Sequence, residues 1–98
     1  MLKAIADVLD ERRRQIDVEG FTADHDDRYE NDELVLAAVS YALYTTFPDD
    51  IPPRQWPFPL EWWKPKDERR DLVRAAALIV ARIEQIDRQA SASAKRSA

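Results

Sequence analysis

The stretch Glu68-Arg69-Arg70-Asp71-Leu72-Val73-Arg74-Ala75-Ala76-Ala77-Leu78-Ile79-Val80-Ala81-Arg82-Ile83-Glu84-Gln85-Ile86-Asp87-Arg88 decides the fold class. Leu72, Ala76, Ile79, Ile83 and Ile86 recur at steps of four, three, four and three, a heptad seam with Val73 and Val80 beside it. Pro65 suits a first helical position, and Asp67 and Glu68 suit the positive end of the helix dipole. Arg88 suits the other end, so residues 89–98, rich in Ser and Ala, read as a frayed, flexible tail.

Two more helices precede this one. Leu2, Ile5, Leu9 and Ile16, with Val8, mark an amphipathic helix from about Leu2 to Val18 that stops at Gly20, the one glycine of the chain. The second helix starts at Asn31 or Asp32 as cap and runs uncharged from Leu34 to Phe47, apolar all round, as a helix buried on every side would be. Phe21 to Asn31 lacks helical periodicity and reads as an ordered polar loop. Pro48, Pro52, Pro53, Pro57, Pro59 and Pro65, interleaved with Trp56, Phe58, Leu60, Trp62 and Trp63, give a stiff crossing over the core. The expected architecture is all-α: a compact three-helix domain over residues 1–88, with a Pro/Trp-rich crossing between helices two and three. The apolar middle helix in so short a chain points to a homo-oligomer.

Composition bounds the chemistry. The 98 residues hold no cysteine and one histidine, which excludes thiol nucleophiles, Cys-based zinc sites and multi-histidine metal motifs. One glycine excludes a Gly-rich phosphate loop. No apolar run is long enough for a membrane span, and Asp7 comes too early for a secretory signal, so a cytoplasmic protein is expected. The net charge of −4 is unevenly spread: residues 17–33 carry eight acids and one arginine, whereas residues 54–98 carry ten bases and six acids. An acidic balance argues against indiscriminate or sequence-specific nucleic-acid binding, but not against a small anion on a local basic patch.

Four groups of residues bear on function. Trp62-Trp63-Lys64-Pro65-Lys66-Asp67-Glu68-Arg69-Arg70 offers either two indoles for stacking and several cations for phosphate at a helix N-terminus, or one Trp that plugs the core while the cations pair with Asp67, Glu68 and Asp71. Arg12, Arg13 and Arg14 spread around a helix, so they cannot all serve one site; either they pair with neighbouring acids or Arg12 or Arg14 lines a pocket with His25. Asp24-His25-Asp26-Asp27 offers one imidazole among carboxylates, either as ligand contacts or as structural caps. Asp7 with Asp10, and Glu84 with Asp87, stand three apart on a helix, the spacing of MazG-like magnesium pyrophosphohydrolases. Glu84-Gln85-Ile86-Asp87 fits the E-x-x-D form, while the Asp7 and Asp10 pair departs from E-x-x-E, so a surface face is the simpler reading.

The chain also resembles a family of small phage and prophage proteins over roughly residues 8–88. The likeness runs through Glu11-Arg12-Arg13-Arg14-Gln15-Ile16, Glu19-Gly20-Phe21-Thr22, His25-Asp26-Asp27, Glu33-Leu34, and Ala37-Ala38 with Tyr41-Ala42. It continues in Trp56-Pro57, Trp62-Trp63-Lys64-Pro65, Arg69-Arg70-Asp71-Leu72-Val73, Ala77-Leu78-Ile79, Ile83-Glu84 and Asp87-Arg88. Asn31-Asp32 stands where that pattern has a glycine. The resemblance implies an accessory protein acting in the bacterial cytoplasm, of a kind that often counters host defence. On these grounds the expected function is non-catalytic sequestration of a small nucleotide-derived signalling molecule, with no cofactor. The contacts would be Arg12, Arg14, His25, Asp26, Asp27, Trp62, Trp63, Lys64, Arg69 and Arg70. The alternatives are a magnesium-dependent nucleotide hydrolase using Asp26, Asp27, Glu33 and acids of the last helix, or an acidic inhibitor that binds a host protein through residues 17–33.

Overall fold

The computed structural model describes residues 2–29 and 32–97, with side chains to Lys95 and no strand among the described residues. Four α-helices and one 3-10 turn follow in order: α1 Lys3–Asp17, α2 Ala23–Asp26, α3 Glu33–Thr46, the 3-10 turn Leu60–Trp62, and α4 Glu68–Ser97. The all-helical class agrees with the sequence. The three-helix count is corrected by α2, which forms inside the expected loop. Thr22 caps it, its Oγ1 accepting from the His25 backbone N–H.

α1, α2 and α3 all pack on α4. α1 ends as expected: Gly20 takes φ +77°, and the chain turns so that the Phe21 N–H reaches the Gln15 carbonyl at 2.8 Å. α3 starts after Asp32, itself left-handed at φ 63°, with no side-chain cap bond; Asn31 lies outside the described residues. Pro48 follows its end.

The core is narrow and built from small residues. Leu34, Ala37, Ala38 and Tyr41 of α3 meet Ala75, Leu78 and Ala81 of α4. Alanine against alanine lets the two backbones approach closely, and Ser40 is buried there by donating to its own helix at the Leu36 carbonyl. The expectation that α3 is buried all round is corrected. One face is sealed, while Val39 on another face stands 38% exposed.

α4 departs from the sequence reading in three ways. It begins at Glu68 rather than Pro65: Asp67 Oδ1 accepts the Arg70 N–H as a cap, and the buried Asp71 accepts the Lys66 N–H at 2.8 Å, holding residues 64–67 out of the helix. It continues through residues 89–97 to Ser97, since Ala and Ser without Gly or Pro contain no breaker. And the heptad seam is not the core. Leu72, Ile79, Ile83 and Ile86 are 45–51% exposed, while Asp71, Arg74, Ala75, Ala77, Leu78, Ala81 and Gln85 face inward.

Polar groups complete the packing. Arg12 of α1, 6% exposed, donates from Nε to Glu84 of α4 at 2.7 Å. Its other nitrogens reach the fully buried Asp26 of α2 and the Phe21 carbonyl, both at 3.2 Å. Gln85, also buried, donates to the carbonyls of Asp26 and Tyr29, and Arg88 grips Asp27 at 2.7 Å. A four-residue helix has no stability of its own, so these bonds hold α2 in place.

Glu11, 3% exposed, is the centre of a second network. Arg14 binds it through two nitrogens at 2.8 and 2.9 Å, Arg70 approaches at 3.4 Å and Gln15 donates at 3.3 Å. Burial raises the Glu11 carboxyl, but these partners together outweigh it and leave the group below its ordinary 4.5. A depressed folded-state value means stability that is present above 4.5 and is lost as pH falls through the folded value. Glu11→Gln is therefore expected to be less stable than the parent at pH 7, with the gap narrowing on acidification below about 4.5. Thermal melts of both chains between pH 7 and pH 3 check this; a gap that widens in acid contradicts it.

Candidate functional site

The Pro-rich crossing folds over α3 as a strap fastened by rings. Trp63 stacks on Tyr41 at 4.8 Å and meets Tyr44 edge-on at 5.6 Å. Trp56 packs against Trp63 at 4.9 Å, against Tyr41 at 5.5 Å and against Phe58 at 5.5 Å. The Trp56 indole N–H donates to the Pro59 carbonyl. Phe58 continues to Trp62 and Tyr29, Tyr29 to His25, and His25 to Phe21, in steps of 5.0–5.3 Å. Every aromatic residue of the chain except Phe47 thus joins one chain of rings running from α3 to the end of α1.

Beneath this strap lies a cleft of about 230 Å³. Ala37, Tyr41 and Leu78 line it from the core, Trp56, Phe58 and Trp62 from the strap, and Glu11, Arg14 and Gln15 from α1. Phe21, His25, Glu19, Lys64 and Arg74 complete the wall. Two of these carry buried polar atoms with no protein partner: Gln15 Oε1 and Arg74 Nε. Arg74 otherwise donates to the Lys64 carbonyl and sits over the Tyr41 ring at 5.5 Å, so one guanidinium ties the strap to α3. Burial, ahead of the opposing pull of Arg74, raises the Tyr41 phenol and keeps it neutral.

His25 enters the wall as a fixed ring. Its Nδ1 lies 3.2 Å from Asp26 Oδ1 and its Nε2 lies 3.1 Å from the Tyr29 hydroxyl. The tautomer that satisfies both has Nδ1–H donating to the carboxylate and Nε2 accepting from the phenol. Burial, and then the negative charges of Asp26 and Glu33, raise the Tyr29 phenol, which makes it a poor nucleophile. Burial also raises Asp26, against the pull of His25, Arg12 and Arg88. With both nitrogens occupied and one face on Phe21, His25 has its remaining face to offer a ligand.

No family model, curated protein or solved structure matches this chain.

Arg14, His25, Trp62 and Lys64, which the sequence singled out from three separate stretches, line this one cleft. The other six lie elsewhere. Trp63 is half-buried in the ring cluster beneath Trp56. Arg12 and Asp26 are sealed against each other, and Asp27 pairs with Arg88. Arg69 pairs with Asp7 at 2.9 Å and Arg70 with Glu11, both in a separate polar groove between α1 and the start of α4. Arg14 is itself doubly paired, with Glu11 and Glu19, whose bonds hold its charge firmly in place. Lys64 and Lys66 are exposed and have no ion pair among the described residues. The α4 N-terminus offers less to an anion than the sequence suggests, because the Asp67 and Asp71 carboxylates take the N–H groups of Arg70 and Lys66.

Sequence reasoning passed over Gln15, Tyr41 and Arg74. The signal for Arg74 was a charge inside an otherwise apolar run; Gln15 and Tyr41 gave none. The magnesium reading gains no geometry: among the described residues no three His, Asp or Glu side chains converge. Asp7 is engaged by Lys3 and Arg69, and Glu84 by Arg12. No helix is long and apolar enough to cross a membrane. Of the acids proposed for protein binding, Asp17, Asp24 and Asp32 are exposed without an ion pair among the described residues, whereas Asp26 and Asp27 are paired.

Proposed function

We propose that this chain binds a small anionic heteroaromatic molecule of the nucleotide type and holds it without converting it. One observation carries the reading: the 44% exposed Trp62 indole and the unpaired Lys64 ammonium border the same ring-lined cleft. The volume, about 230 Å³, is below the roughly 300–1,000 Å³ of sites that enclose drug-sized ligands. It suits one ring system inside, with sugar and phosphate at the rim beside Lys64 and Lys66. Glu11 and Glu19 are matched by two guanidiniums, Arg14 on both and Arg70 on Glu11, so the wall does not repel an anion. Gln15 Oε1 and Arg74 Nε supply an acceptor and a donor for a ring edge. The one phenol in the wall, Tyr41, is held neutral by burial. Together with the likeness to small phage proteins, this favours sequestration of a nucleotide-derived signal in a bacterial cytoplasm. We also propose that the chain self-associates, though not through the sealed face of α3, which α4 of the same chain already covers.

Titration calorimetry with adenosine, guanosine, uridine and cytidine monophosphates tests the ligand reading. The expected result is one site per chain for at least one of them, with the nucleotide recovered intact after denaturation. Stacking on an indole is worth about 1–3 kcal/mol, so Trp62→Ala should weaken binding by roughly 5- to 150-fold. Lys64→Glu should weaken the nucleotide more than the matching nucleoside. A flat titration across the panel, or conversion of the ligand, overturns the reading.

A further inference from the structure

The exposed stripe on α4 has the period of a helix that expects a partner. Leu72, Ala76, Ile79, Ile83 and Ile86 fall on alternating d and a positions, with Ala90 and Ser93 in the next heptad. Its four large members are 45–51% exposed, in a chain whose core is otherwise mostly alanine. Residues 89–95 of the same helix are exposed throughout, and the molecule measures 50 Å along its longest axis. A helical extension without packing is marginal in water, which is a second sign that another surface lies along α4.

We infer that α4 is the interface of a parallel homodimer, a surface that gives a place to the self-association proposed above and is independent of the ligand reading. A second copy is the occupant because the stripe is self-complementary in one orientation. In that register Arg82 stands at g and Asp87 at e, five residues on, the two positions that meet across a parallel pair. Asp87 is exposed and unpaired among the described residues, and Arg82 donates to Gln85 of its own helix, at the edge of the stripe. The dimer thus gains two Arg82–Asp87 pairs. An antiparallel pairing centred on Ile79 and Ile83 instead sets Arg82 against its own copy. From Leu72 to Ser93 the seam is about 32 Å long and about 10 Å wide, or roughly 320 Å² in projection per chain. Ile5 and Leu9 of α1, 51% and 39% exposed, add apolar surface on a helix that also packs on α4. An area of this order lies well below the roughly 800 Å² per partner of a standard interface, so the expected association is weak and transient.

Sedimentation equilibrium of the full chain between 5 and 500 µM tests the inference. The expected outcome is a shift from 11.4 kDa toward twice that mass with rising concentration. Ile83→Glu, half-exposed in the single chain, should stay monomeric with an unchanged helical circular dichroism spectrum. Ile86→Cys should form an intermolecular disulfide on mild oxidation, because equivalent d positions face each other only in the parallel pair; the chain has no other cysteine. A monomer at every concentration overturns self-association altogether. A dimer that survives Ile83→Glu overturns this surface alone, and failure of Ile86→Cys to cross-link a dimeric chain overturns the orientation.

Discussion

Arg12→Met is expected to lose about 3–5 kcal/mol of folding free energy, the cost of removing one partner from a buried ion pair. The Asp26 side chain is 0% exposed and would keep its carboxyl without the guanidinium that faces it. The contact to Glu84 adds little to the cost, because Glu84 is 44% exposed and water can replace it. A domain of this size has about 5–15 kcal/mol in total, so the variant should be partly unfolded near body temperature. Urea melts followed by circular dichroism measure the loss. The double variant Arg12→Met with Asp26→Asn should recover a substantial part of it, since a neutral pair leaves no stranded charge. A single-variant loss below about 1 kcal/mol would mean that Asp26 finds another partner or water.

The neighbouring tryptophans should separate just as sharply. Trp63→Ala removes the ring that stacks on Tyr41 and touches Trp56 and Tyr44, so a loss of about 3 kcal/mol is expected, together with a loosened strap. Trp62→Ala removes a 44% exposed indole whose recorded ring contact is Phe58, and should cost under about 1 kcal/mol. The same two changes should act in the opposite order on ligand titrations of folded protein, where Trp62 matters directly. Equal destabilisation by the two would contradict the assignment of one ring to the core and the other to the cleft.

The helices were legible where local chemistry sets them. Gly20 marked the end of α1, and the prolines marked the strap. α4 shows where periodicity stops being informative. Its sequence offers two apolar faces: one of isoleucines at heptad spacing, the other of Ala75, Ala77, Leu78 and Ala81. Hydrophobicity points to the first, but the alanines allow α3 to come close, and the second is the one buried. α2 was missed because four residues carry no period; distant Arg12, Gln85 and Arg88 stabilise it. The cleft was half legible for a related reason. Arg14, His25, Trp62 and Lys64 can be chosen by their chemistry, and they lie in three distinct motifs. Gln15 and Arg74 matter through what the fold leaves unpaired around them, which no local pattern records.

Because α1, α2 and α3 all lean on the last helix, synthesis from the N-terminus delivers the support last. While α4 is still inside the ribosome, the nascent chain has an α3 with no floor, an Asp26 carbonyl without Gln85, and a strap that rests on α3 but lacks Arg74 to tie it. The first three helices should therefore settle only once α4 has emerged, and until then the core face of α3 and its rings would be exposed to chaperones.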